Sequence, residues 1–107
     1  MVGKLFRVIL TGYAHRRRRQ IHTFEEQVNG PRRAQQVTAE INKQAAKLEK
    51  TPEANPPYLD HDEGFEVRYR KAFSYKIVFR VFEKAGEVLI LTIRNDAEDP
   101  GKVRDEL

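Results

Sequence analysis

The sequence predicts an α+β fold of order β-α-α-β-β-β, in which a helical hairpin packs on one face of a mainly antiparallel four-stranded sheet. Residues 65–94 contain three runs in which apolar and charged side chains alternate, as they do in strands with one buried face. Residues 12–50 contain two stretches with apolar residues at helical spacing, interrupted by a glycine and a proline within residues 29–31. The helix pair must bury its apolar stripes, and the apolar face of the sheet is the only candidate partner.

The N-terminal part of the chain predicts a strand followed by a helix. Residues 5–10 are nearly all apolar, which is typical of a central strand that is buried on both faces. Thr11 is suited to cap the following helix, because its hydroxyl can accept a hydrogen bond from a backbone amide of the first turn. We expect this helix to begin at residue 12 or 13 and to end near residue 28. Arginines at residues 16–19 interrupt its apolar stripe, which consists of Ala14, Ile21, Phe24 and Val28.

A second helix is predicted from Pro31 to about Lys50. Pro31 fits the first turn, where its missing N–H leaves no hydrogen bond unmade. The apolar residues of this helix recur at steps of three and four: Ala34, Val37, Ile41, Ala45 and Leu48. Prolines then mark residues 51–60 as an extended connector without an element of its own.

The last three elements are predicted strands joined by two turns. The strands cover residues 65–71, 75–82 and 88–94, and the turns cover residues 71–74 and 83–86. In the first of these strands, Val67 and Tyr69 share the apolar face. In the last, Leu89, Leu91 and Ile93 share a face, and we expect them to pack against the helix pair.

The charged positions of these strands predict a cationic patch. If all the apolar sets face the helices, the basic residues between them gather on the opposite face of the sheet. Antiparallel sheets commonly leave one face to solvent, so this patch is either a functional surface or an ordinary hydrated face. Five residues compose it: Arg68, Arg70, Lys76, Arg80 and Arg94.

Composition bounds the class of protein. The 107 residues suit one domain that covers residues 1–107, and the net charge of +4 permits an acidic or nucleic-acid partner. The chain contains no cysteine and its three histidines fit no metal motif, so we expect no disulfide, metal or cofactor. No apolar run is long enough to span a bilayer, and the N-terminus lacks signal-peptide features. We therefore expect a cytoplasmic protein without membrane partners.

Four segments of the chain together form a pattern of order and spacing. The first strand and helix open with R-V-I-L-T-G-Y-A, and the middle strand with the turn before it reads F-S-Y-K-I-V-F-R-V-F. The final strand and the residues after it read V-L-I-L-T-I-R-N-D-A-E-D-P. Four residues across the second helix complete the pattern: Ala34, Ile41, Leu48 and Pro52. These segments resemble the RelE/ParE superfamily of toxins from bacterial type II toxin–antitoxin systems, which includes plasmid-stabilisation proteins and whose last strand has a similar terminal D-P. The resemblance covers residues 4–103 and implies a cognate antitoxin as partner.

The resemblance implies one of two activities, of which the first is cleavage of mRNA. RelE-like members cut mRNA in the ribosomal A site by metal-free phosphoryl transfer, in which basic residues stabilise the charge that develops on the phosphate. Lys76 stands where the family has an arginine on the middle strand. Arg68 and Arg70 fall near its basic pair on the preceding strand, and Arg94 substitutes for the arginine after the last strand. The implied catalytic residues are therefore Lys76, Arg68, Arg70 and Arg94, with Arg80 and Lys71 as substrate-binding residues.

The second implied activity is inhibition of DNA gyrase by binding, as in ParE-like members, which have no known nuclease activity. The dense basic face favours the ribosome-dependent endoribonuclease, which inhibits translation. Two departures favour the gyrase inhibitor, because no tyrosine follows Tyr75 and residues 95–98 are not basic. An inactive member that only binds its antitoxin is a third interpretation. The sequence leaves homodimerisation open.

Overall fold

The computed structural model describes residues 5–58 and 66–96. The order β-α-α-β-β-β is confirmed, and two short 3-10 turns, Lys47–Glu49 and Pro52–Ala54, follow the second helix. Pro100 and Gly101 predict a break in the sequence after β4, which a short final helix could follow, and both lie outside the described residues. The main elements are β1 (Arg7–Leu10), α1 (Gly12–Asn29), α2 (Pro31–Ala46), β2 (Arg68–Ala72), β3 (Tyr75–Phe82) and β4 (Glu87–Asn95).

The sheet is mixed and mainly antiparallel, with strand order β1-β4-β3-β2. β1 runs parallel to β4, and the two other pairs are antiparallel. The expectation that β1 is a central strand is wrong, because among the described residues it pairs on one side only and its last three residues are half-buried. At the opposite edge, Pro57 bridges Arg68, and the Tyr58 amide donates to the Val67 carbonyl at 2.7 Å. The connector, expected to lack structure of its own, therefore pairs with the start of β2.

Both helix boundaries follow the predicted signals. The Thr11 hydroxyl accepts a 3.0 Å hydrogen bond from the Ala14 amide, as expected of an N-cap. Gly30 separates the helices with φ of 93°, a left-handed conformation that favours glycine, and Pro31 then begins α2.

The apolar stripe predicted for α1 is only half correct. Ala14 and Ile21 are buried, whereas Phe24 and Val28 are 53% and 60% exposed. A carboxylate, Glu25, occupies the buried position beside Ile21 and is 7% exposed. The end of α1 therefore presents apolar side chains to its surroundings while a charged residue faces the sheet.

The main core lies between the helix pair and one face of the sheet, which we call the helix face. Ile41 and Leu48 of the helical segment are fully buried there, as predicted. From the sheet, the helix face contributes Ala72, Tyr75, Ile77, Phe79, Val88, Ile90 and Ile93.

A β-bulge changes which residues of β4 join this core. Phe79 pairs with Ile90 and Val78 pairs with Thr92, so Leu91 is an extra residue between two paired positions. The extra residue shifts the alternation, which places Ile90 and Ile93 together on the helix face. The prediction that Leu89 and Leu91 pack against the helices is therefore wrong, and that for Ile93 is correct. Within the part of the chain that the structure describes, no helix is long and apolar enough to cross a membrane.

Candidate functional site

A row of cations crosses the sheet face that points away from the helices. We call this side of the sheet the second face, and its cationic residues are Lys71, Lys76, Arg80 and Arg94. Lys76 of β3 pairs with Lys71 on one side and with Arg94 on the other. Directly paired residues project from the same face, so these three side chains form one line across β2, β3 and β4.

Asp96 neutralises part of this row. One of its carboxylate oxygens lies 2.5 Å from Lys71 Nζ, and the other lies 3.9 Å from Lys76 Nζ. The Lys76 ammonium also sits 4.9 Å above the Tyr69 ring and 5.7 Å from the Tyr58 ring. Lys76 therefore contacts a carboxylate and two aromatic faces, which together fix the position of its ammonium group.

The other two cations of the second face differ in accessibility. Arg94 is 3% exposed, so its guanidinium is not presented at the surface. Arg80 is half-buried and its guanidinium lies 4.5 Å from the centre of the Phe82 ring. The most accessible cations of the second face are thus Lys71, Lys76 and Arg80.

A second apolar cluster covers part of this face. Tyr58, Val67 and Val78 are buried, and Tyr69 and Leu91 pack against them. The Tyr58 and Tyr69 rings meet edge to face, with centroids 5.8 Å apart. The face is therefore not simply left to solvent, and the prediction that Val67 and Tyr69 point toward the helices is wrong.

Arg68 and Arg70 lie on the helix face, which corrects the predicted cationic patch. Arg70 pairs with Ile77, and its Nε donates a 2.7 Å hydrogen bond to Gln44 of α2. Arg68 pairs with Phe79 and donates to the Asn55 backbone carbonyl at 2.5 Å. β2 is short and lies beside α2, so long arginine side chains there reach polar groups at the rim of the core. The predicted alternation of side chains along β2 is correct, but Arg68 and Arg70 lie on the face opposite to the one predicted.

Comparison with known families identifies the fold's relatives. The family model described as the ParE toxin of type II toxin–antitoxin systems, parDE, matches residues 8–100. The chain belongs to the ParE toxin family. It is thus the toxin component of a type II toxin–antitoxin system, with an antitoxin as its partner. No curated protein matches the sequence significantly.

Solved structures of toxins share the fold at low sequence identity. The chromosomal ParDE system of Pseudomonas aeruginosa superposes with a TM-score of 0.70 at 20% identity, covering 85% of this chain and 96% of that one. The RelBE2 toxin–antitoxin complex of Mycobacterium tuberculosis gives 0.61 at 19% identity, covering 85% and 98%. A mutant of Escherichia coli RelE in the free state gives 0.61 at 14% identity, covering 95% and 93%. The fold is thus common to ParE-named and RelE-named toxins.

Candidate functional residues of this ParE toxin also lie outside the predicted cationic patch. A cavity of about 360 Å³ lies between α1, the start of β3 and the end of β4, and its lining residues include Arg17, Phe24, Tyr75 and Asn95. Arg17, one of the arginines at residues 16–19 that interrupt the apolar stripe of α1, thus borders a concave surface. The interrupted apolar stripe of α1 was the available signal, because Phe24 follows the arginines at helical spacing.

A second such candidate is Phe73, at the tip of the turn between β2 and β3. Its side chain is 47% exposed, and the Arg33 guanidinium lies 4.9 Å from the centre of its ring. The sequence predicted the turn but gave no reason to single out this residue.

Proposed function

We propose that this toxin acts by binding DNA gyrase, and that it does not cleave mRNA. The observation that supports this most directly is the division of the cations between two faces. Arg68 and Arg70, two of the four residues suggested as catalytic, make hydrogen bonds on the helix face, whereas Lys76 and Arg94 lie on the second face.

Cleavage would require these groups to converge. Phosphoryl transfer from a 2′-hydroxyl needs preorganised cations around one phosphate, with their charges available in the transition state. Arg68 and Arg70 cannot reach a phosphate at Lys76 without breaking contacts to Asn55 and Gln44. Lys71 and Lys76 in turn share Asp96, whose negative charge would repel a phosphate.

A binding mechanism makes no such demand. A protein surface needs complementary shape and charge, together with a few well-packed anchor residues. The chain offers exposed arginines beside exposed apolar side chains on α1, of which Phe24 is the largest. Membership of the ParE family supports the gyrase target, because gyrase poisoning is the activity that the resemblance implies for ParE-like members.

Supercoiling of relaxed plasmid DNA by purified gyrase tests the proposal. We expect the toxin to inhibit supercoiling, and to leave ribosome-bound mRNA intact in a primer-extension assay run in parallel. Lys76→Ala should retain at least half of the inhibition, as should the matched control Lys43→Ala on the exposed side of α2.

Two results would overturn the proposal. Cleavage of mRNA by wild type that Lys76→Ala abolishes and Lys43→Ala preserves would establish the endoribonuclease, with the second face as its active site. Absence of both activities in a folded protein that binds its antitoxin would leave the inactive, antitoxin-binding interpretation.

A further inference from the structure

Phe73 adopts a backbone conformation that is unfavourable for its residue type. It has φ of 55°, and within residues 5–58 and 66–96 it is the one residue other than glycine with positive φ. In this left-handed region the Cβ atom crowds the following carbonyl oxygen, which makes a bulky side chain there an outlier. Phe73 and Ser74 form the two-residue turn between β2 and β3, and in such hairpin turns glycine normally occupies the position with positive φ.

Contacts among the described residues do not explain why an aromatic residue stands there. The Phe73 side chain is 47% exposed, so about half of the benefit of burying a large ring is missing. The stacked Arg33 guanidinium gives a cation–π contact, which at an exposed site is weaker than the cost of the backbone strain. A strained, exposed and oriented aromatic side chain is typical of a binding residue.

We propose that Phe73 is an anchor residue of the antitoxin interface, where its ring enters an apolar pocket on the antitoxin and Arg33 pairs with a carboxylate beside that pocket. Aromatic and arginine side chains dominate binding hot spots, and here one of each is already stacked. The inference depends on the chain being a toxin of the ParE family and is independent of its cellular target.

The charge around Phe73 favours an acidic antitoxin segment over two other partners, a second copy of the chain and a nucleic acid. Arg32 and Arg33 are both exposed at the start of α2, so a second copy of the chain meeting Phe73 symmetrically would oppose like charges. A nucleic acid would need several stacking rings along a cationic groove, and Lys71, the cation of the second face two residues before Phe73, is already paired with Asp96. An acidic segment with one apolar side chain satisfies both the ring and the two arginines.

Phe73→Gly separates binding from folding. The probe is the purified protein encoded by the reading frame adjacent to the toxin gene, titrated into folded toxin by calorimetry. We expect Phe73→Gly to weaken binding at least about 10-fold, the scale of losing one anchor residue, while the melting temperature stays equal or rises. Phe73→Tyr should keep wild-type affinity. Ser74→Gly, the matched control in the same turn, relieves no strain and should lower the melting temperature without weakening binding.

The proposal is overturned if Phe73→Gly binds within about twofold of wild type, or if wild type does not bind this probe. A drop of several degrees in the melting temperature of Phe73→Gly would assign the ring a structural role instead. Normal antitoxin affinity combined with lost gyrase inhibition would place the ring at the target interface and also overturn it. Failure of wild type to inhibit gyrase would contradict the proposed target while leaving the affinity test intact.

Discussion

The hydroxyl of Tyr75 on β3 donates a 2.5 Å hydrogen bond to a carboxylate oxygen of Glu25 on α1, and both side chains are buried. Asn29 donates a second hydrogen bond to the same carboxylate at 2.9 Å. The Tyr75 hydroxyl is the main cause that holds the pKa of Glu25 below its ordinary value of 4.5, against the opposing effect of burial. Burial first, and then the bond to Glu25, raises the pKa of Tyr75 to about 12. The pair joins α1 to the sheet through two groups that both titrate abnormally.

The lowered pKa of Glu25 predicts a specific loss of stability in acid. Because the folded state favours the carboxylate, its stabilisation is complete above the ordinary pKa of 4.5 and is lost as pH falls through the lowered folded value. Urea unfolding of wild type and Glu25→Gln at pH 7 to 3 should show the difference between them shrinking below about pH 4.5. A difference that is constant over this range would mean that the carboxylate charge has no role.

The raised pKa of Tyr75 predicts the opposite dependence in base. Its stabilisation is complete below the ordinary pKa of 10.0 and is lost as pH rises toward about 12. Tyr75→Phe leaves the buried carboxylate without this donor, which should cost about 1–3 kcal/mol of unfolding free energy at pH 7. Spectroscopic titration of the tyrosines should show one that ionises late in wild type and is missing from Tyr75→Phe.

The bulge at Leu91 predicts a sharp contrast between neighbouring residues of β4. Ile90 is 1% exposed in the helix-face core, whereas Leu89 is half-buried opposite Arg80. Ile90→Ala should cost about 2–5 kcal/mol because it leaves a cavity in a packed core. Leu89→Ala should cost clearly less, and denaturant unfolding at one temperature gives both values. Equal costs, or a larger one for Leu89, would show that the alternation continues without a bulge.

The order of elements could be predicted because it depends on local signals. Thr11, Pro31 and the two turns act on adjacent residues, and the structure follows them. The faces of β4 could not be predicted, because a bulge such as the one at Leu91 depends on how two strands pair and not on either strand alone. The position of β1 in the sheet could not be predicted for a similar reason, since an apolar edge strand and an apolar central strand have the same composition.

The candidate site depended on tertiary contacts that alternation does not encode. Arg68 and Arg70 alternate correctly with their neighbours, but their pairing with Phe79 and Ile77 places them on the helix face, where Gln44 and Asn55 accept their hydrogen bonds. Buried Glu25 breaks the apolar stripe of α1 because a hydroxyl from a distant strand compensates it. The line of Lys71, Lys76 and Arg94 was within reach of the sequence, because strand pairing alone aligns these three residues.

The contacts of Arg70 predict a structural role. Its guanidinium bonds Gln44 of α2 at 2.7 Å and Asn55 of the connector at 3.3 Å, which links β2 to both. Arg70→Ala should cost about 1.5–3 kcal/mol of unfolding free energy, the range for hydrogen bonds to a charged group. Lys76→Ala, on the other face, should cost less than about 1 kcal/mol because its ion pair is long and partly exposed. If Arg70→Ala abolished an activity while its unfolding curve matched wild type, Arg70 would have a functional role instead.

Salt should slow the association of this toxin with its antitoxin, because it screens the attraction between the arginines of α1 and an acidic partner. Arg16 and Arg19 are exposed beside Phe24 and line a concave surface, so an acidic partner is attracted before any apolar contact forms. Stopped-flow association should be about 10-fold or more slower at 1 M than at 0.02 M salt, where the Debye length is much longer. The double variant Arg16→Ala with Arg19→Ala should flatten this dependence, chiefly by lowering the association rate at low salt.

Phe73→Gly should leave the salt dependence of the association rate unchanged and should speed dissociation, because an uncharged anchor affects how long the complex lasts. A wild-type association rate that is the same at both salt concentrations would rule out electrostatic steering by α1.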